Sequence, residues 1–306
     1  MYLPPFDIHI LGTSSAIPTS HHFPSAQFVH INGSYLLIDC GEGTQIQLKK
    51  YKLPSVRLDY ILISHLHGDH IFGLPGLLTS LSLLQRKKEL TLIAPKELKQ
   101  ILDTIFKYAE AKITYPLKFI FTTHTHTELL LETEKFKIYI IPLKHRIPTT
   151  GFVIEEQPRH RKIIKEKITL YKIPIHQFNR LKKGYDAEDE NGHIIKNELV
   201  TQDPPPPRKY VYLSDTAYME HLPDICAYPD VLYHEATFLD AHTELARITQ
   251  HSTTVQAAHT ARNINAKKLL IGHYSSRYQQ IEPFLNEAKK IFENTELALE
   301  GKKITL

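Results

Sequence analysis

LISHLHGDH, Leu62 to His70, puts three histidines and an aspartate into six positions directly behind an apolar run. His65 and His67 are two apart, so in extended backbone their side chains leave the same face. Gly68 then permits a turn that aims Asp69 and His70 at a neighbouring position. Imidazole and carboxylate are suitable ligands for zinc, and water can take an open coordination position. A lone histidine behind a strand is most often a surface residue; this spacing argues against that reading. Four ligands do not serve two metals at tetrahedral or higher coordination, so the rest of the chain has to supply more.

Candidates stand where other strand signals end. His145 follows KIYIIPLK, Asp215 follows YVYLS and His273 follows LLIG. Each comes after an apolar run and before a polar loop, the place where a layered α/β protein presents its site. Taken singly, each has a plainer reading as a turn-capping aspartate or a half-buried histidine. Their shared position makes the functional reading the stronger one.

Around these residues the pattern alternates. FDIHIL, SAQFVHI, YLLIDC, YILIS, LTLIA, KFIFTT, KIYIIPL and GFVIEE read as short strands. GLPGLLTSLSLLQR and PKELKQILDTIFKYAE carry apolar residues at helical spacing. From about residue 157 to 208 the chain turns polar and charged, ending in the stiff PPPPRK, Pro204 to Lys209. Strand and helix signals then resume as KYVYLSD, DVLYHEA, TTVQAAHTARNIN, KLLIGH and IEPFLNEAKKIF. The expected fold class is α/β, an αββα sandwich of two mixed β-sheets flanked by helices. Residues 1–156 and 209–306 would form the catalytic domain, with 157–208 inserted as a flexible arm.

The 306 residues are 42% hydrophobic, enough for a substantial core, and the net charge of +4 does not by itself announce nucleic acid. Two cysteines, Cys40 and Cys226, do not make a disulfide framework, which suits a reducing compartment. No window approaches the roughly 18 apolar residues of a membrane span. A soluble, cytoplasmic protein with no membrane partner is the expectation. The 19 histidines invite a search for metal.

The HxHxDH run with its three distant partners resembles the metallo-β-lactamase superfamily over nearly the whole chain. The resemblance implies a dinuclear site with two Zn2+ per subunit. His65, His67 and His145 would hold one zinc, Asp69, His70 and His273 the other, and Asp215 would bridge them. Five further stretches resemble the ribonuclease Z family of tRNA 3′-processing endonucleases. They are HEATF (His234 to Phe238), HSTTVQAA (His251 to Ala258), GHYSSRY (Gly272 to Tyr278), LGTSSAIPT (Leu11 to Thr19) and IDCGEGTQIQL (Ile38 to Leu48). The implied reaction is removal of the 3′ trailer from precursor tRNA, leaving a 3′-hydroxyl on the tRNA.

The chemistry agrees with the resemblance. Two zinc ions about 3.5–4 Å apart lower the pKa of a bridging water and polarise a phosphate oxygen. Asp69, a ligand beside that water, is placed to take its proton. The resemblance implies that Glu235 and His251 cooperate on the opposite side, Glu235 orienting or charging His251, and on that reading His251 would protonate the departing oxygen. Ser275 and Arg277 could hold phosphate oxygens or simply fix the turn after His273.

Arg159, Arg161, Lys162, Lys165, Lys167, Lys172, Arg180, Lys182 and Lys183 crowd the insert, with Glu166 the only acid among them. Small apolar patches, ITLY and IPIHQF, interleave. This reads as an electrostatic grip on RNA backbone, and the family resemblance implies an arm that holds the tRNA elbow. IPIHQFNRLKKG resembles the family's arm tip at Pro174 and at Leu181 to Gly184, but Ile173 stands where the family has glycine. PTSHHFPSAQ, Pro18 to Gln27, lacks the lysine and the Arg-Asn pair of many bacterial members. That leaves the cut position relative to an encoded CCA open. The resemblance also implies a homodimer; DNA is not an expected partner. The rival reading is a small-molecule phosphodiesterase or arylsulfatase of the same fold.

Overall fold

The structure is a computed structural model that describes residues 3–306. It divides into two compact units. One runs to Glu155 and resumes from Arg208 to Leu306; the other is Glu156–Pro207.

The first unit holds two seven-stranded sheets. From edge to edge, one runs Lys303–Thr305, Phe6–Gly12, Ala26–Ile31, Ser34–Ile38, Tyr60–Leu62, Leu90–Ala94, Leu117–Phe121. Its first four strands pair antiparallel and the following ones parallel, so the sheet is mixed. The other runs Thr295–Leu297, Leu269–Gly272, Val231–Glu235, Lys209–Leu213, Thr149–Glu156, Phe136–Leu143, Glu128–Glu132. It is mixed as well: parallel from Thr295–Leu297 to Lys209–Leu213, antiparallel where Lys209–Leu213 meets Thr149–Glu156.

The strands sort their side chains by period two into three apolar layers. Leu36 and Ile38 join Ile8, Ile10, Phe136, Phe152, Tyr210 and Tyr212 between the sheets. Leu37, one residue out of phase, faces the other way onto Leu74, Leu77, Leu81, Leu98 and Leu102, which lie on helices Leu74–Leu83 and Glu97–Tyr108. Val211 and Leu213 likewise turn from the inner layer to Ala257, Ala258, Ala261 and Phe284 on helices Thr254–Asn263 and Glu282–Lys289. Central strands such as Leu90–Ala94 and Leu269–Gly272 are covered on both faces and read as continuous apolar runs, whereas Phe6–Gly12 and Phe136–Leu143 put Asp7, His9, Lys137 and Tyr139 on the outer face and alternate. The result is the αββα sandwich.

Glu128–Glu132, Thr295–Leu297 and Lys303–Thr305 are strands that the pattern of apolar runs does not single out. All three lie at sheet edges, where one face or one side lacks a neighbour and the hydrophobic signal fades.

The second unit has a small core of its own: Ile168, Ile173, Leu181, Ala187 and Val200, with Ile163, Tyr171, Phe178 and Ile195 packed on it. Asn197 ties it together by donating to the carbonyls of Leu181 (2.8 Å) and Tyr185 (2.7 Å). Gln177 exchanges two hydrogen bonds with the backbone of Glu188. Ile173, at the family's glycine position, is a core residue here. The insert is a folded unit with an apolar centre.

Candidate metal centre and active site

Strand ends supply the site. His65 lies three residues beyond Tyr60–Leu62, His145 two beyond Phe136–Leu143, Asp215 two beyond Lys209–Leu213, and His273 one beyond Leu269–Gly272. His273 has φ 65°, a left-handed turn that histidine adopts at some cost. Gly68 opens a single helical turn, Gly68–Ile71. A Cβ there would meet the Phe72 ring at 2.2 Å, so close approach of Phe72 accounts for the glycine.

His65, His67, His145 and Asp215 each bring one ligand atom within 4.8 Å of the others. Asp215 Oδ2 is 3.6 Å from His65 Nε2 and 3.7 Å from His145 Nε2. His67 Nδ1 lies 3.0 Å and 3.3 Å from those same two nitrogens. Asp69, His70, Asp215 and His273 form a second group. Here Asp215 Oδ1 is 3.3 Å from His70 Nε2 and 3.1 Å from His273 Nε2, and Asp69 Oδ2 is 3.5 Å from both. The two oxygens of one carboxylate thus face two different clusters.

Ligands held about 2.0–2.1 Å from a tetrahedral cation stand about 3.3 Å from one another, and both clusters have that spacing. His70 Nε2 and His273 Nε2 are fully buried with no hydrogen-bond partner among the described residues. A buried ring nitrogen without a partner costs free energy unless something else satisfies it. The donor set fits metal.

The outer ring nitrogens are pinned. Asp39, wholly buried at φ 58°, accepts from the Ser64 backbone and hydroxyl, the Tyr212 hydroxyl (2.8 Å) and His70 Nδ1 (2.8 Å). Because the Ser64 hydroxyl donates to Asp39, His65 Nδ1 donates to Ser64 Oγ at 3.0 Å. His145 Nδ1 donates to the Gln250 carbonyl at 2.9 Å. His273 Nδ1 donates to Thr237 Oγ1 at 3.0 Å, which itself donates to Glu235. Each of these bonds fixes the tautomer that leaves the Nε2 lone pair pointing into the cluster.

Charge follows the same layout. Burial pushes the His70 imidazolium down, but Asp215, Asp69 and Asp39 outweigh it and hold its pKa well above the usual range. Burial pushes the Asp215 carboxyl up, and His273, His70 and His65 overcome that to keep it well below. Asp69 is lowered for the same reason, with burial outweighed by His70 and His273. Three carboxylates converge on one imidazole, a concentration of negative charge that a cation would relieve.

Glu235, at the end of Val231–Glu235, is fully buried yet saturated. Oε1 accepts from the backbones of Thr216 and Ser252 and from His251 Nδ1 at 2.8 Å; Oε2 accepts from the backbone and hydroxyl of Thr237. Burial raises its carboxyl, and His251 overcomes that to keep it low. Burial also depresses His251, but the charge and hydrogen bond of Glu235 raise it to about 9. Around His251 each neighbour has a task. Ser252 donates to the Thr216 carbonyl at 2.7 Å, and Thr253 forms a capping box with Gln256 on helix Thr254–Asn263. His234, by contrast, is buried and bonded to the Glu235 carbonyl.

A cleft of about 430 Å³ opens over the clusters, lined by His67, Asp69, Asp215, His251 and Arg146 on its polar side. The Arg146 guanidinium has no hydrogen bond or ion pair among the described residues. Ser275 and Arg277 do not line this cleft; Arg277 stacks over Phe238 at 5.5 Å. Pro18 and Pro24 of the Pro18–Gln27 stretch do line it, and His22 is anchored to Glu300 at 3.0 Å.

All seven proposed ligands, with Glu235 and His251, meet at one site. Asp39, Thr237 and Arg146 are additional participants that the sequence reading leaves out. Asp39 and Thr237 lie inside the stretches IDCGEG and HEATF, which carry the family resemblance, and Arg146 directly follows His145.

The likeness to known proteins bears on the same site. The family model for Anti-Pycsar protein Apyc1 matches residues 6–164. A protein of Parabacteroides distasonis named Ribonuclease Z is 40% identical over 98% of this chain and 99% of its own. The crystal structure of the short form of human tRNase Z superposes with a TM-score of 0.68 at 27% identity, covering 97% of this chain and 98% of that one. A metallo-β-lactamase fold protein from Bacillus subtilis superposes with a TM-score of 0.69 at 18% identity, over 99% and 100% of the two chains, and shows the fold alone. With residues 6–164 in the family of the Apyc1 model and nearly its whole length paired with ribonuclease Z, this chain belongs to the ribonuclease Z family, metal-dependent endoribonucleases of the metallo-β-lactamase fold that remove 3′ trailers from precursor tRNA.

Proposed function

We propose that the site works with two zinc ions per subunit, one held by His65, His67 and His145, the other by Asp69, His70 and His273, with Asp215 shared. The observation that carries this reading is the split of the Asp215 carboxylate between the two clusters. Bound zinc supplies Lewis-acid chemistry, lowering the pKa of an attacking water and offsetting charge on the phosphate. Asp69 accepts the proton of that water. His251, charged through its bond to Glu235, gives a proton to the departing 3′ oxygen of the tRNA as its bond to phosphorus breaks, and the phosphate stays on the trailer. The product tRNA keeps its 3′-hydroxyl.

Residues 157–208 serve as the exosite for precursor tRNA. Lys162, Lys165, Lys167, Lys172, Arg180, Lys182 and Lys183 are exposed, and none forms an ion pair among the described residues. Such a surface attracts phosphates without reading sequence, which suits tRNA bodies that share shape rather than bases. The working form is a cytoplasmic homodimer. Among the described residues no helix is long and apolar enough to cross a membrane.

Incubation with precursor tRNAs carrying or lacking an encoded CCA, with both product ends mapped and metal measured, tests the whole reading. A trailer released with a 3′-hydroxyl left on the tRNA, from protein holding two zinc per chain, is the expected result. Hydrolysis of a small phosphodiester with no cleavage of any precursor would overturn it.

A further inference from the structure

Beside its polar groups, the active-site cleft is lined by Ala16, Ile17, Pro18, Pro24 and Phe72, and the Ala16 backbone donates to Asp69 Oδ2 at 2.8 Å. These side chains are apolar, and two of them are strongly exposed: Phe72 at 71% and Ile17 at 56%. Phe72 directly follows the helical turn that carries Asp69 and His70. Three atoms of its ring lie 2.2–2.7 Å from where a Cβ on Gly68 would stand. It lies beside the glycine and is open to solvent.

An apolar shelf beside a phosphate-cleaving centre has a specific chemical meaning. Every phosphodiester in RNA is flanked by nucleosides, so a strand that lays one phosphate against Asp69, Asp215 and His251 carries bases into the same cleft that Phe72 and Ile17 line. Single-stranded bases are recognised by stacking on aromatic side chains. We infer that Phe72, backed by Gly68 and flanked by Ile17, is the stacking platform for an unpaired nucleobase next to the scissile phosphate. The inference rests on the proposed function and adds to it a base-binding subsite. Because stacking tolerates any base, the platform grips without selecting sequence, as trailers of varied sequence require.

The test pairs protein and substrate changes. Phe72→Ala and Phe72→Trp are compared with the parent enzyme on two precursor tRNAs, one intact and one with abasic nucleotides on both sides of the cleaved bond. Phe72→Ala is expected to lower kcat/KM on the intact precursor about tenfold or more, and to change it less than twofold on the abasic one. Phe72→Trp should restore cleavage of the intact precursor. Metal content and thermal midpoint should stay at parental values in both variants. Equal losses from Phe72→Ala on the two precursors would overturn the platform. So would a shift in oligomeric state on sedimentation, which would mark Phe72 as a subunit contact. If the parent enzyme leaves precursor tRNA uncut, the function itself falls, a failure visible before any variant is made.

Discussion

In the candidate metal pocket, four of the five histidines proposed as ligands have their outer nitrogen tied to a named partner. On the inserted unit, seven cationic side chains stand in solvent with no ion pair among the described residues. The pocket gathers its candidate ligand atoms into two groups, those of each group within 4.8 Å of one another. The insert presents a diffuse field from flexible lysines, borne on a small core of five buried residues. On the proposed function, these are two solutions to binding charge. A compact cation needs fixed directions, whereas a long polyanion needs only density of charge and a surface to lie on. It follows that single-atom changes should be ruinous in one region and graded in the other.

The sharpest way to break the contrast is Asp215→Ala. Removing the shared carboxylate should strip bound metal and lower hydrolysis of both precursor tRNA and a small phosphodiester by about 10³-fold or more, read by elemental analysis and initial rates. Retained metal and rate would mean the clusters are not one centre. His251→Ala should cost about 10²–10⁴-fold in kcat with metal content unchanged. Loss of metal in that variant would make His251 a structural residue instead. Asp39→Asn keeps the shape but weakens the acceptor for His70, Ser64 and Tyr212. Metal affinity should fall about 10–100-fold in a chelator competition, with the fold intact by circular dichroism. An unchanged affinity would show that orientation of the ligands does not depend on this carboxylate.

How much of the pocket could be read in advance follows from where its parts lie. HxHxDH is legible because four ligands sit in six positions, and His145, Asp215 and His273 because each ends an apolar strand. Asp39 ends a strand too, in YLLIDC, but nothing local says that its side chain turns inward to His70 rather than capping a turn. The Gln250 carbonyl that holds His145 has no sequence signature at all, since every residue carries one. Phe72 has no sequence signal that marks it out, and only the folded structure shows its ring 71% exposed beside the cleft. For the fold, strands such as Leu90–Ala94 and Leu269–Gly272 announce themselves by continuous apolar runs, and Phe6–Gly12 by alternation. The edge strands Glu128–Glu132, Thr295–Leu297 and Lys303–Thr305 do not.

The insert's side of the contrast is sharpened by charge removal. Lys167, Arg180, Lys182 and Lys183 changed together to alanine should raise KM for precursor tRNA and flatten its dependence on salt concentration, because a surface that neutralises fewer phosphates releases fewer counterions on binding. Rates on a small phosphodiester should not move. Equal loss on both substrates would refute the division of labour, as it would for deletion of residues 160–205.

The smallest effect is expected at Ile173. This side chain is 5% exposed and belongs to the insert's own core. It follows Lys172, whose φ of 49° already turns the chain, and precedes Pro174. Restoring the family's glycine would therefore not relieve strain at 173; it would remove a buried side chain from a cluster too small to compensate. Truncating a buried isoleucine to alanine costs about 2–5 kcal/mol, and glycine adds backbone entropy of roughly 0.5–1 kcal/mol. Against a core of five residues this should loosen the unit rather than trim it. Hydrogen exchange should accelerate across residues 163–200 while the amides of the two large sheets keep their protection. KM for precursor tRNA should rise only a few fold, since loosely held lysines still attract phosphate, and kcat on a small phosphodiester should hold. Faster exchange in the sheets as well would mean that the insert's core and the catalytic sandwich are one cooperative structure, and the contrast between the two regions would collapse.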